Sequence, residues 1–451
     1  MHLDLHPDAS ANFNTKASDL LLLLAPIKND PEPRTFETEQ YIDHSLDDVE
    51  IIGDTTEAQL DFTGQEISRS FTHDNKLIGL QGEAYRAFFK LCENIQRTKQ
   101  YTTAISLDLV QNELFEWMKS RYRGETNLPF LDFSQPRMEA EIKEIEIWVP
   151  IHSLLIQSNF SLGKIQFQII TKALIDRWEA ALIENKTEEK ANQTRDFFKG
   201  ERKEIQGLAA ATIKLVAESR RAGQIALDEI ERTLNILRFF EPANFHPIFV
   251  SHCAIIGKQN IQTTKYYVVE NNVLTSSTAS MIDDSYRPWK IETQLLVHIQ
   301  NHGLNILNSI LLSENRTDFH NTIIDTLQTY SRVGLASNYS DKLVYLLVTL
   351  ESLLLKNSSE PIEQNVAERM AFSLTKVPSQ RKKIIENFKK MYALRSKFVH
   401  HANDVEREHI DSLSRFMFNV WQLLNMIINH ANSFQNREQM IEAFDKVQSS
   451  F

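Results

Sequence analysis

A chain of 451 residues with only two cysteines, Cys92 and Cys253, set far apart, has neither a disulfide framework nor a four-thiolate metal site, and fits a reducing compartment. Glycine and proline are sparse at twelve each, too few for a long low-complexity linker. The one greasy run near the start, LLLLLA at 20–25, stops at Pro26 and has only Lys16 as a base before it. It is too short to cross a bilayer and lacks the basic flank of a signal peptide, so a buried strand or helical turn is expected there. A cytoplasmic protein with no membrane partner is the expectation. Up to residue 290 the sequence also lacks a glycine-rich phosphate loop, a Gly-flanked nucleophilic serine and a His-Glu-x-x-His zinc pattern. His246, His252 and Cys253 lie close together, but their spacing fits no zinc pattern. Core or surface histidines are favoured, and no metal or cofactor is expected.

What is present is ordinary globular material, 42% hydrophobic and 24% charged, at a length for which two or three domains are the prior. Charge is the uneven feature. The chain carries −11 overall, yet residues 1–66 alone hold 15 acidic and 3 basic side chains. Residues 365–400 hold nine bases, among them Arg381, Lys382, Lys383, Lys389 and Lys390, against Glu368 and Glu386. Clustered bases concentrate a polyanion even on an acidic protein; a solvated helix face is the plain alternative. The acidic segment reads as a solubilising tail, with an electrostatic restraint on 365–400 as the alternative.

Patterning gives a mostly helical α+β chain. An acidic, irregular segment at 1–66, with one or two strands at 49–62, precedes a mixed helix and strand region at 67–290 of sensing or regulatory character. Within that region, apolar spacing predicts helices from about 82, with Tyr85, Phe88, Phe89 and Cys92 on one face, and over 107–118. Residues 144–156 alternate as a strand, and 159–170 is expected to return beside it. Two or three long helices are expected over 171–240, then strands at 248–257 and 265–275. From 291 onward the pattern is helical throughout, with segments at 291–313, 318–334, 340–356, 362–375, 379–399 and 404–433. Their short connections favour antiparallel neighbours in an all-α bundle. The division expected is a connecting helix at 291–316, the bundle at 317–435 and a tail at 436–451.

Four of these helices carry a pattern. LVYLLVTLESLLL (343–355) holds one acid, Glu351; AERMAFSL (367–374) opens an apolar face with Arg369; YALRSKFVHH (392–401) sets Arg395 five residues before His400, with His401 behind it; a long closing helix follows. This arrangement resembles the Apea-like branch of the HEPN superfamily, helical-bundle nucleases and RNA binders of bacterial anti-phage and abortive-infection systems. The resemblance covers about 317–435. It implies a HEPN bundle whose Arg-x(4–6)-His motif is Arg395 and His400, cleaving RNA without a metal where the motifs of two protomers meet. The family often has Asn, Asp or His after the arginine; here Ser396 stands there.

The residue types suit the chemistry. Cleavage at a ribose phosphodiester needs a proton acceptor for the 2′-hydroxyl, a proton donor for the leaving oxygen and positive charge for the phosphorane. Histidine suits either proton transfer and arginine the charge. On a straight helix five residues turn through about 500°, so Arg395 and His400 diverge by roughly 140°. Either the helix distorts before His400 or the site is completed across a two-fold axis. An Arg and two His at a helix C-terminus also complement its dipole, the plain structural reading.

Ser396, Lys397, His401, Lys389 and Lys390 are the supporting, RNA-binding candidates, and Glu351 with Arg369 is expected to form a buried inter-helix ion pair. RNA, with tRNA among the candidates, is the expected substrate, and a phage-derived trigger the expected activator. The partner expected is a second copy in a homodimer or higher oligomer, burying Phe416, Phe418, Val420, Trp421, Leu424 and Ile427. The alternatives are a catalytically inactive HEPN module that binds RNA or protein, and a purely structural helical interaction protein.

Overall fold

The computed structural model describes residues 2–27, 56–60, 63–74, 76–184, 186–258, 263–270, 273–281, 288–357 and 359–449. Residues 28–55, which hold much of the acidic charge of 1–66, lie outside the described residues, as does part of the expected strand region 49–62. The chain forms two compact units, Met1–Glu146 with Lys214–Ile225 and Ile147–Ile213 with Ala226–Phe451. It is mostly helical, with strands in the N-terminal part and helices in the C-terminal part.

The first unit opens with a helix, α1 (Pro7–Leu21), where an irregular segment was expected. Pro7 supplies the preset φ of a first helical position, the His6 ring accepts from the Asp8 N–H at 3.3 Å, and Ala17 and Leu20 reach the core. The leucine run straddles the end of this helix, so Leu20 is buried in its last turn, as a buried helical turn would have it, while Leu22 and Leu23 beyond it are exposed. Strands β1 (Ala25–Pro26), β2 (Thr56–Leu60), β3 (Glu66–His73) and β4 (Lys76–Gln81) make an antiparallel sheet in the order β1-β4-β3-β2. Helices α2 (Gly82–Gln96), α3 (Lys99–Ala104), α4 (Leu107–Tyr122) and α5 (Phe130–Glu141) follow. Their apolar faces meet the sheet in one core in which Phe71, Phe88, Phe115, Trp117 and Phe130 lie edge-on to one another.

A second sheet takes β5 (Lys143–His152), then β6 (Leu154–Ile156), β7 (Phe160–Leu162), β8 (Ile165–Ile169), α6 (Lys172–Ile183), α7 (Glu188–Ile205), β9 (Ala209–Ala217), α8 (Ser219–Arg238) and β10 (Ala254–Ile255) in chain order, β6 standing outside it. Its order is β10-β5-β9-β8-β7. Residues 159–170 fold into a hairpin of their own, β7 with β8, and do not return beside 144–156 as expected, because β9 stands between β8 and β5. The sequence AAATIKLVA of β9 lies where helix was expected. Alanine is a strong helix former, yet here its small side chains let a central strand sit buried between neighbours, so tertiary packing overrides propensity. A hairpin of β11 (Thr263–Glu270) and β12 (Val273–Met281) comes next, followed by β13 (Trp289–Ile291) in parallel with β6.

The remaining helices are α9 (Thr293–Ile299), α10 (Asn305–Leu312), α11 (Asp318–Leu335), α12 (Tyr339–Leu354), α13 (Ile362–Leu374), α14 (Pro378–His401), α15 (Ile410–Asn429) and α16 (Arg437–Ser449). The expected helix at 291–313 breaks because Gly303 takes φ +119°. Helices α11 to α15 pack as a bundle, and α16, where a tail was expected, lies against α13. Residues 239–249 close over α11, α12 and α15. The Tyr330 hydroxyl donates to the Asn244 carbonyl at 2.6 Å, Lys342 Nζ to the Phe249 and Val333 carbonyls at 2.9 and 3.0 Å, and Trp421 Nε1 to the Phe239 carbonyl at 3.1 Å. Consequently Phe416, Val420, Leu424 and Ile427, expected to need a second copy for cover, are buried within the chain itself. Among the described residues no helix is long and apolar enough to cross a membrane.

Candidate nucleic-acid interface on the C-terminal bundle

Helix α14 starts at Pro378, runs unbroken for 24 residues and stops where Ala402 turns into the left-handed region at φ 54°. The helix does not distort before His400, so within one chain Arg395 and His400 point about 140° apart. Arg395 is half-buried and faces α12. Among the described residues its buried Nε has no hydrogen-bond partner, and neither has Oε1 of Glu351 on α12. Burial raises the Glu351 carboxyl above the ordinary range, and the Arg395 guanidinium opposes that rise. The two charges thus sense each other without closing a hydrogen bond. Val348, one turn before Glu351, and Val399, one turn beyond Arg395, stand exposed on the same two faces.

The opposite sector of α14 is basic and open to solvent. At ~100° per residue, Lys382, Lys389, Lys390, Lys397 and His400 fall within about 100° of one another along roughly 27 Å of helix. All five are exposed, with Lys383 and His401 at the margin of the sector. Glu386 is the acid on this face, 3.9 Å from Lys382. Lys390 is partly committed, since its Nζ donates to Ser412 Oγ at 3.0 Å. His400 and His401 present rings 6.5 Å apart at 63°, and Ser396 is half-buried. Beside the stripe, Phe372, Ile385, Lys382 and Lys389 line a groove of about 440 Å³, with the Arg381 guanidinium 4.1 Å above the Phe372 ring.

Arg369 does not pair with Glu351. It grips Glu360 with two hydrogen bonds of 2.9 Å, Asp445 with two of 2.8 and 3.4 Å, and the Leu354 carbonyl at 2.6 Å. The pair expected from sequence fails because α16 brings Asp445 onto α13, and the turn after α12 brings Glu360; together they satisfy a guanidinium that is almost wholly buried. The hydrogen bonds from Arg369 hold the Glu360 carboxyl below its usual range. A lone acid in an apolar helix signals a basic partner on a neighbour, and both Arg369 and Arg395 answer that signal in sequence; only packing chooses. Among the described residues no three His, Cys, Asp or Glu side chains are grouped to hold a metal. The Cys253 thiol is buried and its pKa pushed up by that burial. The His246 ring packs on Phe249.

The chain matches no protein-family model, no curated protein and no solved structure.

Proposed function

We propose that the C-terminal bundle is a metal-independent endoribonuclease of the HEPN type, acting in the cytoplasm in bacterial anti-phage defence, with Arg395 of one copy and His400 of another forming each site. The observation that carries this reading is the unbroken α14, which separates Arg395 and His400 within a chain and leaves them to be united across a two-fold axis. Exposed Val348 and Val399 beside Arg395 offer apolar surface for that second copy. A histidine would take the 2′-hydroxyl proton as O2′ attacks phosphorus. The P–O5′ bond breaks, a second histidine protonates O5′, and a 2′,3′-cyclic phosphate and a 5′-hydroxyl remain. Arg395 would donate to the phosphorane oxygens, and Lys382, Lys389 and Lys397 would hold the flanking phosphates. Incubation of the purified chain with tRNA and total RNA in chelator, followed by analysis of the fragment ends, tests this; absence of RNA binding at low salt sinks it.

The second reading is an RNA-binding module without catalysis. It draws on His400 itself, which is exposed and has no hydrogen-bond partner to orient it among the described residues, whereas a catalytic base is commonly oriented by a third group. RNA that binds and is recovered intact would decide for it.

A further inference from the structure

A cleft of about 1190 Å³ opens in the first unit, where one end of the four-stranded sheet meets α2 and α4. That exceeds the roughly 300–1,000 Å³ typical of small-molecule sites. Three polar residues lining it are almost wholly buried, Ser68 at 3%, Tyr85 at 4% and Gln111 at 5% exposure, and Ser68 Oγ is already used, donating to Gln59 Oε1 at 3.2 Å. Among the described residues the Tyr85 hydroxyl closes no hydrogen bond, although the Glu66 carboxylate lies close to it, and none engages the Gln111 carboxamide. Burial, aided by the Glu66 carboxylate nearby, raises the Tyr85 phenol well above its ordinary range, so it remains a donor at neutral pH. Buried polar groups are normally paired, and two unpaired ones facing a single cleft mark what the cleft is built to meet.

The charges around the cleft are already engaged. Glu66 holds Arg69 through bonds of 2.6 and 2.8 Å, Asp108 holds Arg220 at 2.9 Å, and Arg86, the one base lining the cleft among the described residues, is held by Glu83 at 2.5 Å. A phosphorylated or acidic ligand would find one exposed cation there, itself paired with Glu83, beside the carboxylates of Glu66 and Asp108. The rim is apolar, with Leu60, Ile67 and Phe89 exposed, and Gln59, Gln65 and Gln81 add three further carboxamides. A carboxamide carries the N–H donor and C=O acceptor of a peptide group, so repeated carboxamides beside apolar side chains match a ligand that alternates amides with apolar groups.

We infer that this cleft binds an extended, uncharged segment of polypeptide, its main chain hydrogen-bonded to Gln111 and Tyr85 and its apolar side chains resting on Leu60, Ile67 and Phe89. The site belongs to the first unit and does not depend on the reading of the C-terminal bundle.

The test pans a random nonapeptide display library on the full chain, then titrates the synthesised enriched peptides against the parent, Tyr85→Phe, Gln111→Leu and Ile67→Glu. Enriched sequences should lack Asp, Glu, Lys and Arg and bind equally at low and high salt. Each variant should bind them at least roughly tenfold more weakly. Tyr85→Phe and Gln111→Leu remove unpaired buried polar atoms with little change of volume, so their melting temperatures should equal or exceed the parent's. Ile67→Glu alters an exposed rim residue and keeps the test decisive if a buried variant melts early. Failure to enrich any sequence, enrichment of charged peptides with salt-sensitive affinity, or parental affinity in all three variants would overturn the inference.

Discussion

Glu351 on α12 and Arg395 on α14 face each other as opposite charges, yet among the described residues neither Glu351 Oε1 nor Arg395 Nε makes a hydrogen bond. A closed bidentate pair would occupy the guanidinium; this open one leaves donors for an incoming phosphate. Arg395→Met removes the charge that opposes the burial of Glu351, so the carboxyl should rise further. A raised acid gives stability that is complete below its unfolded pKa and is lost as pH rises through its folded value. The variant should therefore lose stability more steeply than the parent from mildly acid to neutral pH. Urea midpoints at both pH values check this, and identical slopes for the two proteins would contradict it.

Glu241 is a second buried acid with the same sign. Burial pushes its carboxyl up to about 7, against the pull of a hydrogen bond from Ser251 Oγ at 2.6 Å and of Arg238 and Lys342. Its contribution is complete at acid pH and fades as pH climbs through 7. From the shift, the difference across that window is on the order of 3 kcal/mol. Glu241→Gln should flatten the fall in stability between pH 5 and 8, measured by chemical denaturation. A constant offset between parent and variant across that range would refute the assignment.

Arg369 tests the bundle rather than the site. Arg369→Met takes the guanidinium from Glu360 and Asp445, leaving them only Lys356, and leaves the Leu354 carbonyl without its donor. A loss on the order of 3 kcal/mol is expected for breaking so buried a pair. Asp445→Asn should cost less, because Glu360 keeps its two bonds to the guanidinium. Denaturation midpoints rank the two, and equal losses would show that α16 contributes through Asp445 alone.

The bundle was legible because its helices are amphipathic and separated by short polar breaks: 318–334 and 362–375 were expected, and α11 and α13 span Asp318–Leu335 and Ile362–Leu374. The divergence of Arg395 and His400 was legible from helical geometry alone. β9 was not, since an alanine-rich strand buried in a sheet has the composition of a helix. The partner of Glu351 was not, because Arg369 is claimed by Asp445 from 76 residues away. The cleft of the first unit gave no signal either: Tyr85 and Gln111 lie in separate helices, and nothing in sequence shows that their polar atoms go unpaired.

If the bundle binds RNA as proposed, the lysine stripe sets how the strand is held. Lys382→Ala, Lys389→Ala and Lys397→Ala should each weaken binding modestly and each reduce the slope of log affinity against log salt by about one ion. Lys390→Ala should have a smaller effect, because its ammonium is partly engaged with Ser412. Filter binding across a salt series measures both quantities. Parental slopes in all four variants would remove α14 from the interface.

The composite site predicts complementation. His400→Ala should lower the cleavage rate by about 10²–10⁴ while RNA affinity stays close to parental. Arg395→Lys should also fail, since an ammonium cannot reproduce the planar two-donor grip on a phosphorane. Because α14 is straight, Arg395 and His400 of one chain cannot converge, and in the proposed site each copy would contribute one residue. Mixing Arg395→Met with His400→Ala should then rebuild one intact site in every mixed dimer. With random pairing, roughly a quarter of parental activity should return, in the presence of EDTA, and the fragments should end in cyclic phosphate. No recovery after the subunits have demonstrably exchanged would place both residues in a single chain's site or outside catalysis. Parental cleavage by a folded His400→Ala, His401→Ala double variant would remove the histidines from the chemistry.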